Sequence, residues 1–117
     1  MHTERYATLN KTLEQILATL IMQYQPEKVI LFGSMATGDV GEWSDLDLVI
    51  IKNTSLPFMK RLKEVALLCM APVGVNYLVY TPEEFDQMAE QNNHFILNEV
   101  IGRGKVVYER QPAPAMA

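Results

Sequence analysis

Two short apolar segments, joined by a glycine-punctuated turn, limit this chain to a narrow set of folds. In the stretch ILFGSMATGDVGEWSDLDLVI, residues 30–50, Gly33 and Ser34 follow the first segment, and Asp45 and Asp47 begin the second. Apolar runs this short and uniform are typical of strands buried on both faces. We therefore predict two core strands, with a pair of carboxylates where the second one begins.

The spacing of the two aspartates predicts that they share one face of the sheet. Alternate side chains of a strand point the same way, so Leu46 and Leu48 turn towards the opposite layer. Two close carboxylates resist joint ionisation unless a cation lies between them, and Mg²⁺ prefers such oxygen ligands together with phosphate oxygens. Because Asp47 lies inside an apolar run, where an unpartnered charge is costly, the pair of Asp45 and Asp47 favours a metal site.

The turn before the aspartates has the composition of a phosphate-binding loop. Gly33 lets the backbone turn sharply, Ser34 offers a hydroxyl, and residues 35–37 can open a short helix whose free N–H groups attract anions. Taken singly, Ser34 also fits an ordinary turn cap and Asp45 an ordinary loop-ending residue. Taken together, the turn and the carboxylates indicate a nucleoside triphosphate held for metal-assisted displacement at phosphorus, which is nucleotidyl transfer.

The pattern along the chain predicts alternating helices and strands, and therefore a sheet covered by helices in one compact domain over residues 1–110. Residues 111–117, with two prolines, are predicted to form a disordered tail. Thr81, Pro82 and Glu84 give the sharpest helix start, a capping box with proline at the first helical position. The predicted helices are Thr3–Tyr24, a helix capped by Thr54 or Ser55 and ending at Met70, and Thr81–Ile101, loosening at Asn92 and Asn93; the predicted strands are Val29–Phe32, Leu46–Ile51, Val73–Tyr80 and Lys105–Glu109.

Charge and hydropathy exclude some classes of function. A net charge of −4 provides no basic face for broad nucleic-acid binding, but it is compatible with a cation held by carboxylates. The longest apolar stretches are far shorter than the roughly 20 residues that span a bilayer, and the first ten residues are polar. The sequence therefore predicts a cytoplasmic protein with no membrane segment.

The motif resembles that of the minimal nucleotidyltransferases of the DNA polymerase β superfamily. Their signature is Gly-Ser, a spacer of about ten residues and Asp-x-Asp; here Gly33-Ser34, ten residues and Asp45-Leu46-Asp47 occur in that order. The segments LFGS, SDLDLVI, YLVYTPEEF and GKVVYER extend the likeness over nearly the whole chain. The resemblance implies an α/β fold with a small mixed β-sheet flanked by helices, like the palm of polymerase β.

The resemblance also implies a role for each motif residue. Gly33 and Ser34 would contact the nucleotide phosphates, and Asp45 and Asp47 would coordinate catalytic Mg²⁺. ATP is the expected donor, and AMP the group transferred. Small members of the family work beside a separate helical HEPN-domain protein, in some cases as the antitoxin of a toxin-antitoxin pair, so such a partner is expected here, and a homo-oligomer stays open.

The third carboxylate of the superfamily is replaced in this chain, because the matching position is Asn76. An amide supplies no negative charge and cannot act as a general base near neutral pH. Glu42, Glu64 and Glu83 are candidate substitutes, and spacing gives no reason to prefer one. Two functions therefore stay open: an enzyme that modifies a partner protein, and a binding module that masks one.

Several other residues have competing interpretations. Trp43, beside the acidic turn, fits stacking on a base or partner and equally fits packing over a loop. Lys60, Arg61 and Lys63 favour a solvated helix face over a surface that attracts anions. Cys69, the single cysteine, lies in an apolar helical pattern and is predicted to be a buried structural thiol.

Overall fold

The computed structural model describes residues 3–111. All residues of the predicted tail after Gln111 therefore lie outside the described residues. The elements in chain order are α1 (Thr3–Thr19) with a π-helical turn (Leu20–Tyr24), β1 (Lys28–Phe32), α2 (Ser34–Thr37), β2 (Leu46–Ile51), α3 (Phe58–Cys69), β3 (Val75–Tyr80), α4 (Pro82–Glu90), a π-helical segment (Phe95–Gly102) and β4 (Lys105–Glu109). This order confirms the predicted alternation. Among the described residues, no helix is both long enough and apolar enough to cross a membrane.

The four strands form one mixed sheet in the order β3-β2-β1-β4. β1 pairs antiparallel with both β2 and β4, whereas β2 pairs parallel with β3. The end of β1 and the beginnings of β2 and β3 therefore meet at one end of the sheet, which we call the carboxylate end. The mixed α/β architecture confirms the predicted fold class.

Helices cover both faces of the sheet, as the alternation along β2 requires. Leu46, Leu48 and Ile50 belong to a core cluster with residues of α1 and α3. Val49 and Ile51 belong to a second cluster with residues of α4 and the π-helical segment. The predicted division of β2 into two faces is therefore confirmed, and Asp47 belongs by its position to the face of Val49 and Ile51.

The helix ends are partly as predicted. At the start of α4, the Thr81 hydroxyl accepts a hydrogen bond from the Glu84 N–H (3.1 Å), and the Glu84 carboxylate accepts one from the Thr81 N–H (2.8 Å), which confirms the capping box. The predicted start at Thr54 or Ser55 is wrong, because α3 begins after Pro57 and the Thr54 hydroxyl instead accepts from the Leu56 N–H (3.2 Å). Asn92 has a φ of 58°, which ends α4 near the predicted break.

Candidate functional site

The structure brings the predicted site residues together at the carboxylate end of the sheet. Phe32, Asp47 and Asn76 lie opposite one another in the registers of β1, β2 and β3. Residues in register share a face, so their side chains lie side by side. Asp45 is one residue before β2, where the Leu46 N–H donates to the Gly74 carbonyl (3.1 Å) and fixes the backbone beside it.

Asp47 is half-buried and has a neutral partner instead of a cationic one. The Asn76 side-chain amide donates a hydrogen bond to Asp47 Oδ1 (2.7 Å). Burial raises the pKa of the Asp47 carboxyl above its ordinary value; the Asn76 hydrogen bond lowers this pKa, and the negative charge of Asp45 raises it. The ionised form of Asp47 is therefore destabilised in the free protein, and a nearby cation would stabilise it.

Glycine backbones lie directly against both carboxylates. A Cβ at Gly33 would overlap Asp47 Oδ2, and Gly33 has a φ of 73° and a ψ of −156°, a conformation that is essentially restricted to glycine. A Cβ at Gly74 would lie 2.6 Å from Asp45 Oδ1. The two glycines therefore leave space around the carboxylate oxygens that any other residue would fill.

Ser34 begins the predicted short helix beside the carboxylates. The Gly33 carbonyl accepts the first helical hydrogen bonds, from the N–H groups of Ala36 (3.0 Å) and Thr37 (3.1 Å). The N–H groups of Ser34 and Met35 precede these bonds at the helix start, where backbone donors are available to an anion. Gly38, with a φ of 88°, ends the helix after one turn.

Asp45 is the more exposed of the two carboxylates. Its side chain is 48% exposed, and Asp45 Oδ1 lies 3.7 Å from Arg5 Nη2. Arg5 Nε also donates to the Ser44 carbonyl (2.9 Å), so α1 contacts the loop immediately before Asp45. Sequence reasoning missed Arg5, which is 39 residues from Ser44. It also missed Gly74, although a glycine inside a predicted strand, here Val73–Tyr80, is a recognised sign of close approach by another group.

The donor set fits a hard cation. Carboxylate oxygens with open space beside them suit Mg²⁺, which takes one or two protein carboxylates and completes its octahedron with water and phosphate oxygens. Within residues 3–111, no group of three or more His, Cys, Asp or Glu side chains is placed to hold a metal. Glu83 lies in the first turn of α4, beyond the other end of β3, so it cannot replace the third carboxylate from there.

The structure describes the environments of three further residues that the sequence analysis discussed. Trp43 is 85% exposed, so it does not pack over the loop. Arg61 is only 6% exposed and bonds Glu84, so the prediction of a solvated face is wrong at this position. Cys69 packs against the core partly buried, and burial raises the pKa of its thiol.

A mixed sheet that presents a Gly-Ser turn beside a pair of carboxylates is the architecture of the nucleotidyltransferases. The chain belongs to the polymerase beta nucleotidyltransferase family, whose model matches residues 14–113. It is 30% identical over 100 residues to "Putative protein adenylyltransferase MJ0604" of Methanocaldococcus jannaschii, covering 84% of this chain and 96% of that protein.

Solved structures with the same fold agree with this assignment. The structure of "a putative nucleotidyltransferase from Sulfolobus solfataricus" superposes with a TM-score of 0.66 at 21% sequence identity. The match covers 92% of this chain and 86% of that one. A toxin-antitoxin solved with AMP-PNP superposes with a TM-score of 0.53 at 18% identity, over 84% and 73%. At these identities the similarity establishes the fold alone.

Proposed function

We propose that the protein is a cytoplasmic, Mg²⁺-dependent nucleotidyltransferase that transfers AMP from ATP to a hydroxyl group of a partner protein, of the HEPN type. The observation that carries the proposal is the pair Asp45 and Asp47, two like charges close enough to interact, each lying against a glycine backbone. Such a pair is electrostatically unfavourable by itself and becomes favourable when it shares a cation.

Each residue of the pair and of the turn has a distinct role in this proposal. Asp45 and Asp47 hold the cation, and Gly33 and Ser34 receive the phosphates at the start of α2. Bound Mg²⁺ would neutralise phosphate charge and orient the triphosphate for in-line displacement. In that displacement the acceptor hydroxyl gives its proton to solvent and its oxygen forms a bond to the α-phosphorus, while the bond from this phosphorus to the oxygen that bridges it to the β-phosphorus breaks and pyrophosphate leaves.

A protein acceptor is supported by the relatives of the chain and by an exposed aromatic side chain. One relative is named as a protein adenylyltransferase, and one structural neighbour is a toxin-antitoxin. Trp43, 85% exposed and two residues before Asp45, is an aromatic side chain of the kind enriched at protein interfaces.

A second function is supported by Asn76. The amide donates to Asp47 Oδ1 (2.7 Å), at the position where the superfamily pattern has a third carboxylate, so the site has no base from that strand. Losing a general base slows transfer by about a hundred- to ten-thousandfold and leaves binding intact. The alternative is therefore a binding module, or antitoxin, that masks its partner and retains the nucleotide site.

Transfer of label from ATP tests the enzyme against the binding module. The purified protein is incubated with Mg²⁺, ATP labelled in the α-phosphate, and a HEPN-type protein encoded beside it. The proposal expects label on the partner, no label with Asp47→Ala, and normal labelling with Asp86→Ala, which changes an exposed carboxylate in α4. A stable complex without label supports the binding module and contradicts the enzyme.

Restoring the missing carboxylate sharpens that choice. If the pocket geometry suits transfer, Asn76→Asp raises the labelling rate by about a hundredfold or more, the contribution of a positioned base. Asn76→Ala, which removes the hydrogen bond to Asp47 and adds no acid, is the matched control. An unchanged rate with Asn76→Asp in a labelling-competent protein would show that another group activates the acceptor.

A further inference from the structure

Arg5 joins α1 to the loop that carries Asp45 by two contacts of unequal quality. Arg5 Nε donates to the Ser44 carbonyl at 2.9 Å, an ordinary hydrogen-bond length. Arg5 Nη2 lies 3.7 Å from Asp45 Oδ1, too far for a hydrogen bond, and the Asp45 side chain is 48% exposed. Exposed ion pairs of this kind contribute little, so the contact to the backbone is the stronger one.

The loop before Asp45 is a tight turn held from within. The Ser44 N–H donates to the Gly41 carbonyl (3.2 Å), and the Gly41 N–H donates to the Ser44 hydroxyl (2.7 Å). On the far side of Asp45, the Leu46 N–H donates to the Gly74 carbonyl (3.1 Å). The backbone of Asp45 therefore lies between two fixed points, and Arg5 provides the tertiary contact at Ser44.

We propose that Arg5 is a positioning residue for Asp45: it holds the turn of residues 41–44 (the Gly41 turn) against α1 through the Ser44 carbonyl and leaves the Asp45 oxygens accessible to a cation. The identity of the ligand that Asp45 binds rests on the proposed function. The contact by which Arg5 holds the Gly41 turn does not rest on it, because this contact is present in the protein without any ligand. The Nε–H donor of Arg5, and not its charge, performs this role.

Two substitutions separate the donor from the charge. In Arg5→Gln, the side-chain Nε2 is the same number of bonds from the backbone as Arg5 Nε, so a donor is retained and the charge is lost. In Arg5→Met, the side chain is as long as that of glutamine and has neither a donor nor a charge. Arg, Gln and Met have similar helix propensities, so α1 is not expected to differ between the variants. Arg103→Met, at an exposed arginine 3.9 Å from Glu99, is the control for loss of an unrelated charge.

The first measurement uses the fluorescence of the ligand-free protein. Trp43 is the single tryptophan of the chain and lies inside the Gly41 turn, so its time-resolved anisotropy reports the motion of that turn. We expect additional nanosecond depolarisation in Arg5→Met, and profiles like the wild type in Arg5→Gln and Arg103→Met. Equal profiles in Arg5→Gln and Arg5→Met overturn the proposal, whether both are ordered or both are mobile.

The second measurement titrates the protein with Mn²⁺ alone, followed by electron paramagnetic resonance of the free ion. We expect Arg5→Met to weaken Mn²⁺ binding by about three- to tenfold, the effect of one hydrogen bond, and Arg5→Gln to bind at least as tightly as the wild type. Weaker binding by Arg5→Gln than by Arg5→Met overturns the proposal. If the wild type binds no Mn²⁺, the proposed metal site fails, and the anisotropy still decides whether Arg5 holds the turn.

Discussion

Two carboxylates in opposite environments, Asp47 of β2 and Glu84 of α4, lie near the two ends of strand β3. At its beginning, Asn76 donates to Asp47, whose pKa is also raised by the negative charge of a second acid, Asp45. Beyond its other end, Glu84 lies against the guanidinium of Arg61 in a bidentate pair of 2.6 and 3.2 Å. We call these two groups the acid pair and the arginine clamp.

The pKa shifts of the two carboxyls differ in sign for physical reasons. Hydrogen bonding to Arg61 is the largest effect on Glu84 and lowers the pKa of its carboxyl. Burial is the largest effect on Asp47 and raises the pKa of its carboxyl. Since a shift in pKa is a difference in stability between the two protonation states, ionised Glu84 stabilises the fold, and ionised Asp47 destabilises it.

The contrast indicates that the end of the sheet with the acid pair, and not the end with the arginine clamp, is the one suited to bind a ligand. Arg61 also donates to the carbonyls of Leu56 (2.7 Å) and Val79 (3.1 Å), so the arginine clamp links α3, β3 and α4 without a ligand. Among residues 3–111, the acid pair has no comparable cation, because the Arg5 guanidinium lies 3.7 Å from Asp45 and makes no hydrogen bond to it. A charged group that is costly in the free protein is characteristic of a functional site.

The largest expected change in stability comes from the arginine clamp. Arg61→Met removes the guanidinium that donates to two backbone carbonyls and to Glu84, so we expect the free energy of unfolding to fall by about 2–4 kcal/mol. Lys63→Met, at an exposed position of the same helix, is the control and should stay within about 0.5 kcal/mol of the wild type. Urea unfolding followed by circular dichroism measures both, and equal losses would contradict the structural role of Arg61.

A smaller loss is expected at the glycine beside the acid pair. Gly33→Ala adds a Cβ that overlaps Asp47 Oδ2 in a backbone conformation that alanine avoids, so we expect a loss of about 2 kcal/mol and weaker nucleotide binding. Gly38→Ala is the matched control, because Gly38 also has a positive φ, 88°, but a Cβ there has no neighbour within 4 Å. Urea unfolding and ATP titration with Mg²⁺ compare the two. Similar nucleotide binding by both variants would show that the space beside Asp47 is not needed.

The smallest expected change in stability is a gain. Asp47→Asn removes the ionised carboxylate and keeps an acceptor for Asn76, so in EDTA at neutral pH we expect a slightly higher melting temperature than for the wild type. The folded wild type binds the Asp47 proton more tightly than the unfolded chain, so its stability falls as pH rises from the ordinary value of 3.8 through the raised pKa. The advantage of Asp47→Asn should therefore disappear in acid. Calorimetric melting across this pH range measures it, and a destabilised variant at neutral pH would contradict the assignment.

The sequence predicted the acid pair better than the arginine clamp, because the residues of the acid pair are close in the sequence and those of the clamp are far apart. The strand periodicity around Asp47 and the capping box at Thr81 are local patterns, and both were confirmed as structure. The bond from Arg61 to Glu84 joins residues 23 apart, and nothing in a helical charge pattern indicates which arginine is buried. The contact of Arg5 with Ser44, over 39 residues, depends on how α1 packs on the sheet.

We propose that the acid pair binds a cation together with ATP. Isothermal titration calorimetry of ATP into the wild type and Asp47→Asn, with Mg²⁺ and then with EDTA, tests it most directly. We predict that Mg²⁺ tightens ATP binding to the wild type by about tenfold or more, equivalent to about 1.4 kcal/mol, and has no such effect on Asp47→Asn. Equal ATP affinity for the wild type with and without Mg²⁺ would contradict the account.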